Sequence, residues 1–185
     1  GIPVTKVIGG KFAISMRLGL ISLAISLSLG VALGVLQAQH KDRFWDHAGT
    51  AYTVFVRAVP ALISYSLILI LGSRFLHLPS LYSTRAVFKS SILPITCLSL
   101  GSIAGYMMWT RRYMVDELNK DYIVLAKLKG MSSRDVMYKH VLKNAFVPMA
   151  QYLPQTVLAV TGGSLLVERF FSVPGLGTLL TDAIS

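Results

Sequence analysis

The sequence predicts an all-α integral membrane protein, and three observations carry this prediction. Of the 185 residues, 54% are hydrophobic and only 14% are charged, whereas an ordinary soluble domain has about 25% charged residues. Four stretches are apolar enough and long enough to cross a bilayer, which takes about 20 residues of helix. The chain nevertheless carries a net charge of +10, so its charges must be concentrated between those stretches. This composition excludes a disordered polyelectrolyte, and a single cysteine, Cys97, excludes a disulfide scaffold.

The four predicted spans follow one another in a single transmembrane domain that covers residues 1–185. We place them at about residues 12–36, 53–72, 90–110 and 145–167. Arg57 lies near the start of the second span, where a long side chain can reach the interface. Because the chain starts with Gly1 rather than Met, we expect it to be a fragment of a longer protein.

One extended polar segment, residues 111–144, separates the third and fourth spans. Its eight basic and four acidic residues give it a net charge of about +4 and, under the positive-inside rule, a cytoplasmic location. Residues 37–52 are then also inside, and residues 73–89 are outside. A basic helix pair is typical of DNA-binding proteins too, but the short links to membrane spans and the acidic residues argue against nucleic acid. Contact of this segment with anionic lipid stays open as an alternative.

Local signals predict a sharp corner inside the polar segment. Apolar residues follow helical spacing from Met114 to Lys129, which predicts an amphipathic helix. Gly130 suits a left-handed C-cap, and Ser132 followed by Asp135 resembles a capping box at the start of a second helix.

Small and polar residues within the spans predict helix packing and a candidate solute path. Small residues let helix backbones approach closely in lipid, and those predicted to do so are Ser22, Ser26, Gly30, Gly34, Gly101 and Gly105. Polar residues of the fourth span that are candidates for a translocation path are Gln151, Gln155, Thr161 and Ser164. Hydrogen bonding between helices is an equally good explanation for any one of these four.

The sequence predicts no catalytic residue and no metal site. His40, Asp42, Asp46 and His47 cluster in the first cytoplasmic loop, but their spacing matches no ligand pattern. Cys97 lies in an apolar span, where packing is its expected role.

Two runs of sequence carry a resemblance to a known family. DYIVLAKLKGMSSRDVMYKHVLKNAFVP and LLVERFFSVPGLGTLLTDAI resemble the permease subunits of bacterial ATP-binding-cassette importers of the oligopeptide, dipeptide and nickel group, and most of all an oligopeptide permease. This resemblance implies an importer permease-type helical bundle with a six-span core, four spans of which are visible here.

The resemblance also implies a role for the corner. In the family, a cytoplasmic motif forms a short coupling helix that docks in a groove of the ATPase. By position, Ala126 matches the second alanine of that motif, Gly130 its glycine, and residues 131–140 its coupling helix. The residues expected to couple to the ATPase are Ala126, Lys129, Gly130, Met131, Ser132, Ser133, Arg134, Asp135, Val136, Tyr138, Lys139 and His140.

The chain departs from the general importer motif at two places. Val124 and Leu125 stand where that motif has Glu and Ala, and Pro148 lies eighteen residues after Gly130, a spacing similar to that of the peptide subgroup. After the fourth span, Glu168, Pro174, Gly175 and Gly177 match a family segment that we interpret as a structural turn near the outer face.

The implied function is transport of oligopeptides by alternating access. The implied partners are a second permease subunit, two cytoplasmic ATPase subunits, an extracellular substrate-binding protein and the lipid bilayer of the bacterial cell membrane. No cofactor is expected on this chain, because ATP and Mg would bind the ATPase subunits. A permease for dipeptide, nickel or another small solute is the first alternative, and a channel or membrane scaffold with a lipid- or regulator-binding loop is the second.

Overall fold

A computed structural model describes residues 4–161 and 164–184, and every regular element within these ranges is helical. The all-α class is therefore confirmed. The elements are α1 Val4–Gln39, α2 Phe44–Ala58, α3 Ala61–Phe75, α4 Val87–Leu118, α5 Asp121–Leu128, α6 Ser133–Asp135, a π-helical segment Val136–Leu142, α7 Lys143–Ala150, α8 Leu153–Thr161, α9 Leu165–Phe170 and α10 Leu176–Ile184.

Helices α1 and α4 are long and apolar enough to cross a membrane. Their candidate spans are Ile8–Gln39, with a mean hydropathy of 2.2, and Val87–Leu118, with a mean hydropathy of 1.5. Helices α2 and α3 add a third candidate if they are counted together. Pro60 separates them, because its backbone is extended at φ −55° and ψ 137° at the N-cap of α3 and proline has no N–H to donate.

The fourth predicted span contains several helices in the part of the chain that is described. Helix α7 ends at Ala150, α8 begins at Leu153, and α9 begins at Leu165. Pro154 lies in the first turn of α8, where the backbone N–H groups have no partner within the helix, so proline is tolerated there. The number of spans and the bounds proposed from sequence stay predictions.

The prediction of a single amphipathic helix from Met114 to Lys129 is wrong. Helix α4 ends at Leu118, and Lys120 adopts an extended conformation at φ −83° and ψ 145° as the N-cap of α5. The Lys120 ammonium lies 2.7 Å from the Glu117 carboxylate across this break. Asp121 then occupies the first turn of α5, where a negative charge is favourable.

The chain divides into two compact units. The first is formed by the chain up to Ile25, by Ala58–Gly101 and by the chain from Thr156 onward. Its buried core consists of Leu18, Leu93, Cys97, Val167, Phe171 and Val173. Cys97 is fully enclosed there, in agreement with a packing role.

The second unit is formed by Ser26–Arg57 and Ser102–Gln155. Its core contains Val35, Ala38, Met114, Ile123, Ala126, Val136, Val141 and Ala145. These residues come from α1, α4, α5, the π-helical segment and α7. The residues that flank the predicted corner, Ala126 and Val136, therefore belong to the buried core of this unit.

Candidate functional site

The corner after α5 is fixed by its own backbone. Gly130 has a φ of +81°, a left-handed conformation that glycine adopts without steric cost. The Gly130 N–H donates to the Lys127 carbonyl at 3.0 Å, and the Met131 N–H donates to the Ala126 carbonyl at 3.3 Å. These two bonds form a Schellman motif, which satisfies carbonyls that the end of α5 would otherwise leave unpaired. The C-cap predicted at Gly130 is confirmed.

The second arm of the corner starts at a capped helix end. Ser132 is extended, at φ −63° and ψ 148°, and its side-chain oxygen accepts from the Asp135 N–H at 3.1 Å. The Ser132 hydroxyl donates to the Asp135 carboxylate at 2.8 Å, and Lys139 Nζ lies 2.6 Å from the same carboxylate. The bond to Lys139 and the bond from Ser132 lower the pKa of Asp135, so this carboxylate stays charged at neutral pH. The predicted helix start is confirmed.

The corner has an anchored side and an exposed side. Ala126 and Val136 are buried in the core of the second unit, 7% and 1% exposed. On the exposed side lie Val124, Leu125 and Leu128, and Leu128 keeps 80% of its surface accessible. Lysines and arginines surround this apolar tip at positions 127, 129 and 134. The corner therefore offers a rigid surface that combines apolar side chains with positive charge.

The residues predicted to couple to an ATPase are thus brought together. Ala126, Val136 and, in part, Met131 form the support, while Lys129, Ser133, Arg134, Tyr138 and Lys139 are exposed. The Tyr138 hydroxyl also accepts from Gln39 Nε2 at 3.2 Å, which ties this arm to the end of α1. His140 lies beside Tyr122, with a ring distance of 6.3 Å. The π-helical turn across residues 136–142 is a feature that the sequence analysis did not predict.

An ion pair between Asp46 and Arg111 was also missed. Arg111 contacts both carboxylate oxygens, Nε to Oδ1 at 2.5 Å and Nη2 to Oδ2 at 2.6 Å, and Asp46 is only 2% exposed. The Asp42 N–H adds a bond of 2.9 Å to the same carboxylate. Asp46 thus joins the start of α2 to α4. The sequence signal for this pair was one acidic and one basic residue near the ends of two predicted spans, on the same predicted side of the membrane. Because the two residues are 65 positions apart, no local spacing pointed to the pair.

A second polar cluster surrounds Glu168, which is 3% exposed. Ser15 Oγ donates to Glu168 Oε1 at 2.7 Å, and the Gly177 N–H donates to Oε2 at 2.6 Å. The Thr178 N–H adds a longer bond of 3.3 Å. A Cβ at Gly175 would lie 2.4 Å from Glu168 Oε2, so a side chain there would displace the carboxylate. These contacts agree with the structural turn inferred from the resemblance.

Three of the four candidates for a solute path have side chains that the structure describes: Gln151, Gln155 and Ser164. Gln151 follows α7, whereas Gln155 belongs to α8, so the continuous helix that would place both on one face is interrupted between them. Both are exposed. Ser164 caps α9 by accepting from the Val167 N–H, and the side chain of Thr161 lies outside the described residues.

The small residues predicted to pack helices fall into two groups. A Cβ at Gly30 would lie 2.6 Å from Tyr106 Cβ, and one at Gly34 would lie 2.5 Å from Thr110 Cβ, so both glycines admit close contact between α1 and α4. Ser22 and Ser26 are buried. A Cβ at Gly101 or Gly105 would have nothing within 4 Å, so these two glycines face open space within the chain.

The helices and the basic corner define a class of protein, an all-helical component of a membrane. The chain belongs to the family described as binding-protein-dependent transport system inner membrane component, which matches residues 30–185. This membership and the apolar helices α1 and α4 place it in the bacterial cell membrane.

Several transport proteins are similar to the chain. The oligopeptide transport system permease protein AmiC of Streptococcus pneumoniae is 33% identical over 168 residues, which cover 90% of this chain and 34% of the relative. The dipeptide permease protein DppB of Lactococcus lactis is 32% identical over 183 residues, 98% of this chain and 60% of the relative. The oligopeptide permease protein OppB of Escherichia coli K12 is 28% identical over 180 residues, which cover 97% of this chain and 59% of the relative. The chain thus spans between one third and three fifths of these relatives.

Proposed function

We propose that this chain is part of the permease subunit of an ATP-driven importer that moves oligopeptides into the cell. The observation that carries the proposal is the corner around Gly130, which is rigid in its backbone, anchored in a core and exposed at an apolar, basic tip. Such a surface suits a groove on another protein, because it offers both apolar area and charge without requiring a segment to fold on binding.

The contacts of the second unit support a cytoplasmic location for this corner. Residues 37–52 and 111–144 are both predicted to lie inside, and the structure joins them through Asp46 with Arg111 and through Gln39 with Tyr138. Two segments between spans that contact each other belong on the same side of the membrane. The positive charge of the longer one favours the cytoplasm.

In this proposal the corner transmits motion. Closure of two cytoplasmic ATPase subunits around ATP and Mg would push the arm that starts at Ser133, and the attached helices would rock so that a central cavity opens alternately to each side. A second permease subunit would complete the cavity, and an extracellular binding protein would deliver the peptide. ATP hydrolysis belongs to the partner subunits, and neither a cofactor nor nucleic acid is assigned to this chain.

Dipeptide transport is the second candidate function. It is favoured by the 32% identity to DppB of Lactococcus lactis, close to the 33% identity to AmiC. Competition between labelled tripeptide to pentapeptide substrates and dipeptides for uptake separates the two, since an oligopeptide importer should prefer the longer substrates.

The proposal is tested in the purified complex in proteoliposomes, where ATP hydrolysis and peptide uptake are measured together. In Gly130→Val, a β-branched residue in a left-handed conformation costs roughly 1–2 kcal/mol, so we expect uptake to fall about tenfold while the protein stays inserted. Asp135→Lys removes the partner of both Ser132 and Lys139 and should act in the same direction.

Gly10→Val is the matched control, because Gly10 lies in α1 and a Cβ there meets nothing within 4 Å. It should transport normally. Normal uptake in Gly130→Val and Asp135→Lys would contradict the coupling role of the corner. Uptake or conductance that does not depend on ATP would favour the channel or scaffold instead.

A further inference from the structure

A cleft of about 610 Å³, lined by both polar and apolar residues, lies in the second unit beside the corner. Hydrogen bonds join three of its lining residues one after another. Asn144 Nδ2 donates to the Tyr122 hydroxyl oxygen at 2.7 Å, and the Tyr122 hydroxyl donates in turn to Glu117 Oε1. Glu117 is 7% exposed, and its other carboxylate oxygen pairs with Lys120 Nζ at 2.7 Å.

These three residues sit on three different helices around the corner. Glu117 lies in the last turn of α4 (Val87–Leu118), Tyr122 in the first turn of α5 (Asp121–Leu128), and Asn144 in the first turn of α7 (Lys143–Ala150). Helix α4 can cross the membrane, while α5 leads into Gly130 and α7 continues the arm that leaves it. The bonds therefore bridge the base of the corner.

Apolar packing alone would hold these helices together without fixing their orientation. The core contacts of Met114, Ile123 and Val141 are not directional, because the hydrophobic effect depends on area rather than angle. Hydrogen bonds are directional, and one hydroxyl group carries both of these, since tyrosine accepts and donates through the same oxygen. Removing that single atom therefore deletes both hydrogen bonds of Tyr122, while Asn144 keeps a direct contact with Glu117.

We propose that Glu117, Tyr122 and Asn144 form a polar relay that makes α4, α5 and α7 move as one body when the corner is displaced. They are positioning residues, because they act through the corner and through α4 rather than on a solute or on ATP. The proposal rests on the proposed function, and it adds the path by which a push on the corner reaches a membrane-crossing helix.

The test is Tyr122→Phe in the complete complex in proteoliposomes, with peptide uptake measured per ATP hydrolysed. Phenylalanine keeps the ring and its packing and deletes the hydroxyl. We expect insertion, assembly and ATP hydrolysis to be retained, and the uptake per ATP to fall about fivefold, the effect of one to two lost hydrogen bonds. Tyr82→Phe is the matched control, because Tyr82 belongs to the first unit and the same atom is removed; its ratio should equal that of the wild type.

Two further variants separate the relay from a purely structural role. Glu117→Gln keeps an acceptor for the Tyr122 hydroxyl but loses the charge that pairs with Lys120, so it should keep most of the wild-type ratio. Asn144→Ala, at an exposed position, removes the contacts of Asn144 with Tyr122 and Glu117 without threatening the fold, and it should lower the ratio. If Tyr122→Phe fails to insert into the membrane, the uptake per ATP of Asn144→Ala tests the relay in its place.

A wild-type ratio in Tyr122→Phe or in Asn144→Ala would overturn the relay and leave the proposed function intact. A loss in Glu117→Gln as large as that in Tyr122→Phe would also overturn it, because the ion pair with Lys120 would then be the important contact. Absence of ATP-driven uptake in the wild type would overturn the proposed function and the relay with it.

Discussion

Glu168 is a buried carboxyl group whose hydrogen-bond partners within the chain take the place of water. A carboxylate removed from solvent is destabilised by several kcal/mol unless hydrogen bonds compensate. Here a hydroxyl group and two backbone N–H groups at the beginning of α10 point at it, and the N-terminal end of a helix favours negative charge. One side chain therefore contacts both the first turn of α10 and Ser15 within α1.

We expect Glu168→Ala to lower the free energy of unfolding by roughly 3 kcal/mol, because Ser15 and the two amides would lose their acceptor in a buried place. The measurement is thermal unfolding of the purified protein in detergent. Asp182→Asn is the control, since its 3.8 Å contact with Arg169 is exposed and surface changes of this kind stay within about 0.5 kcal/mol. Equal stability of the two variants would contradict the structural role of Glu168.

Single residues could be predicted from the sequence only where the signal is local. Gly130 and Ser132 were predicted because a left-handed cap and a helix N-cap depend on residues within five positions. The bond between Ser15 and Glu168 and the ion pair between Asp46 and Arg111 join residues that are 153 and 65 positions apart. No periodicity or spacing encodes such contacts, so they require the folded chain.

At the level of helices, the glycines of α1 and α4 differ in what surrounds them. Gly34 faces Thr110 and the Met107 carbonyl oxygen at distances that leave no room for a methyl group. Gly105, in the same pair of helices, faces open space. The same GxxxG pattern thus marks a tight contact in one helix and a free surface in the other.

This difference gives a matched pair of variants. Gly34→Ala should destabilise the protein by about 1–3 kcal/mol, the usual cost of overpacking. Gly105→Ala should be neutral or stabilising by up to about 1 kcal/mol, because alanine favours the helix more than glycine does. Thermal unfolding in detergent compares them, and a loss of stability in both variants or in neither would show that the contact between α1 and α4 is not the cause.

The boundaries of the helices were harder to predict than their existence. The long uncharged runs within α1 and α4 were clear from composition, and Pro60 marked a break. The break at Lys120 was not predicted, because the apolar spacing continues through it and the pair with Glu117 was not considered. The π-helical segment has no signal in sequence spacing, since it depends on how the second arm packs against the core.

At the level of the whole chain, the division into two units groups segments by their predicted side of the membrane. Residues 37–52 and 111–144 belong to the second unit, and residues 73–89 belong to the first. The topology proposed from charge puts residues 37–52 and 111–144 inside and residues 73–89 outside.

Cysteine labelling in intact cells measures that topology. In a background with Cys97→Ala, which removes the one cysteine of these 185 residues, and with any cysteine outside them also replaced, Ser80→Cys should react with a membrane-impermeant maleimide from outside. Lys129→Cys should react only after the membrane is permeabilised. Both positions are exposed, so access to the reagent is decided by the membrane rather than by burial. Labelling of Lys129→Cys in intact cells would contradict the cytoplasmic corner and the import proposal together.

The corner around Gly130 has a consequence for how such a subunit can diverge. Its shape is set by main-chain bonds, by one glycine and by a serine cap, whereas the side chains at its tip, Val124, Leu125 and Leu128, contribute little to the buried core. Substitutions at the tip can therefore change the surface that the corner offers to a binding partner without altering the backbone bonds that form the corner.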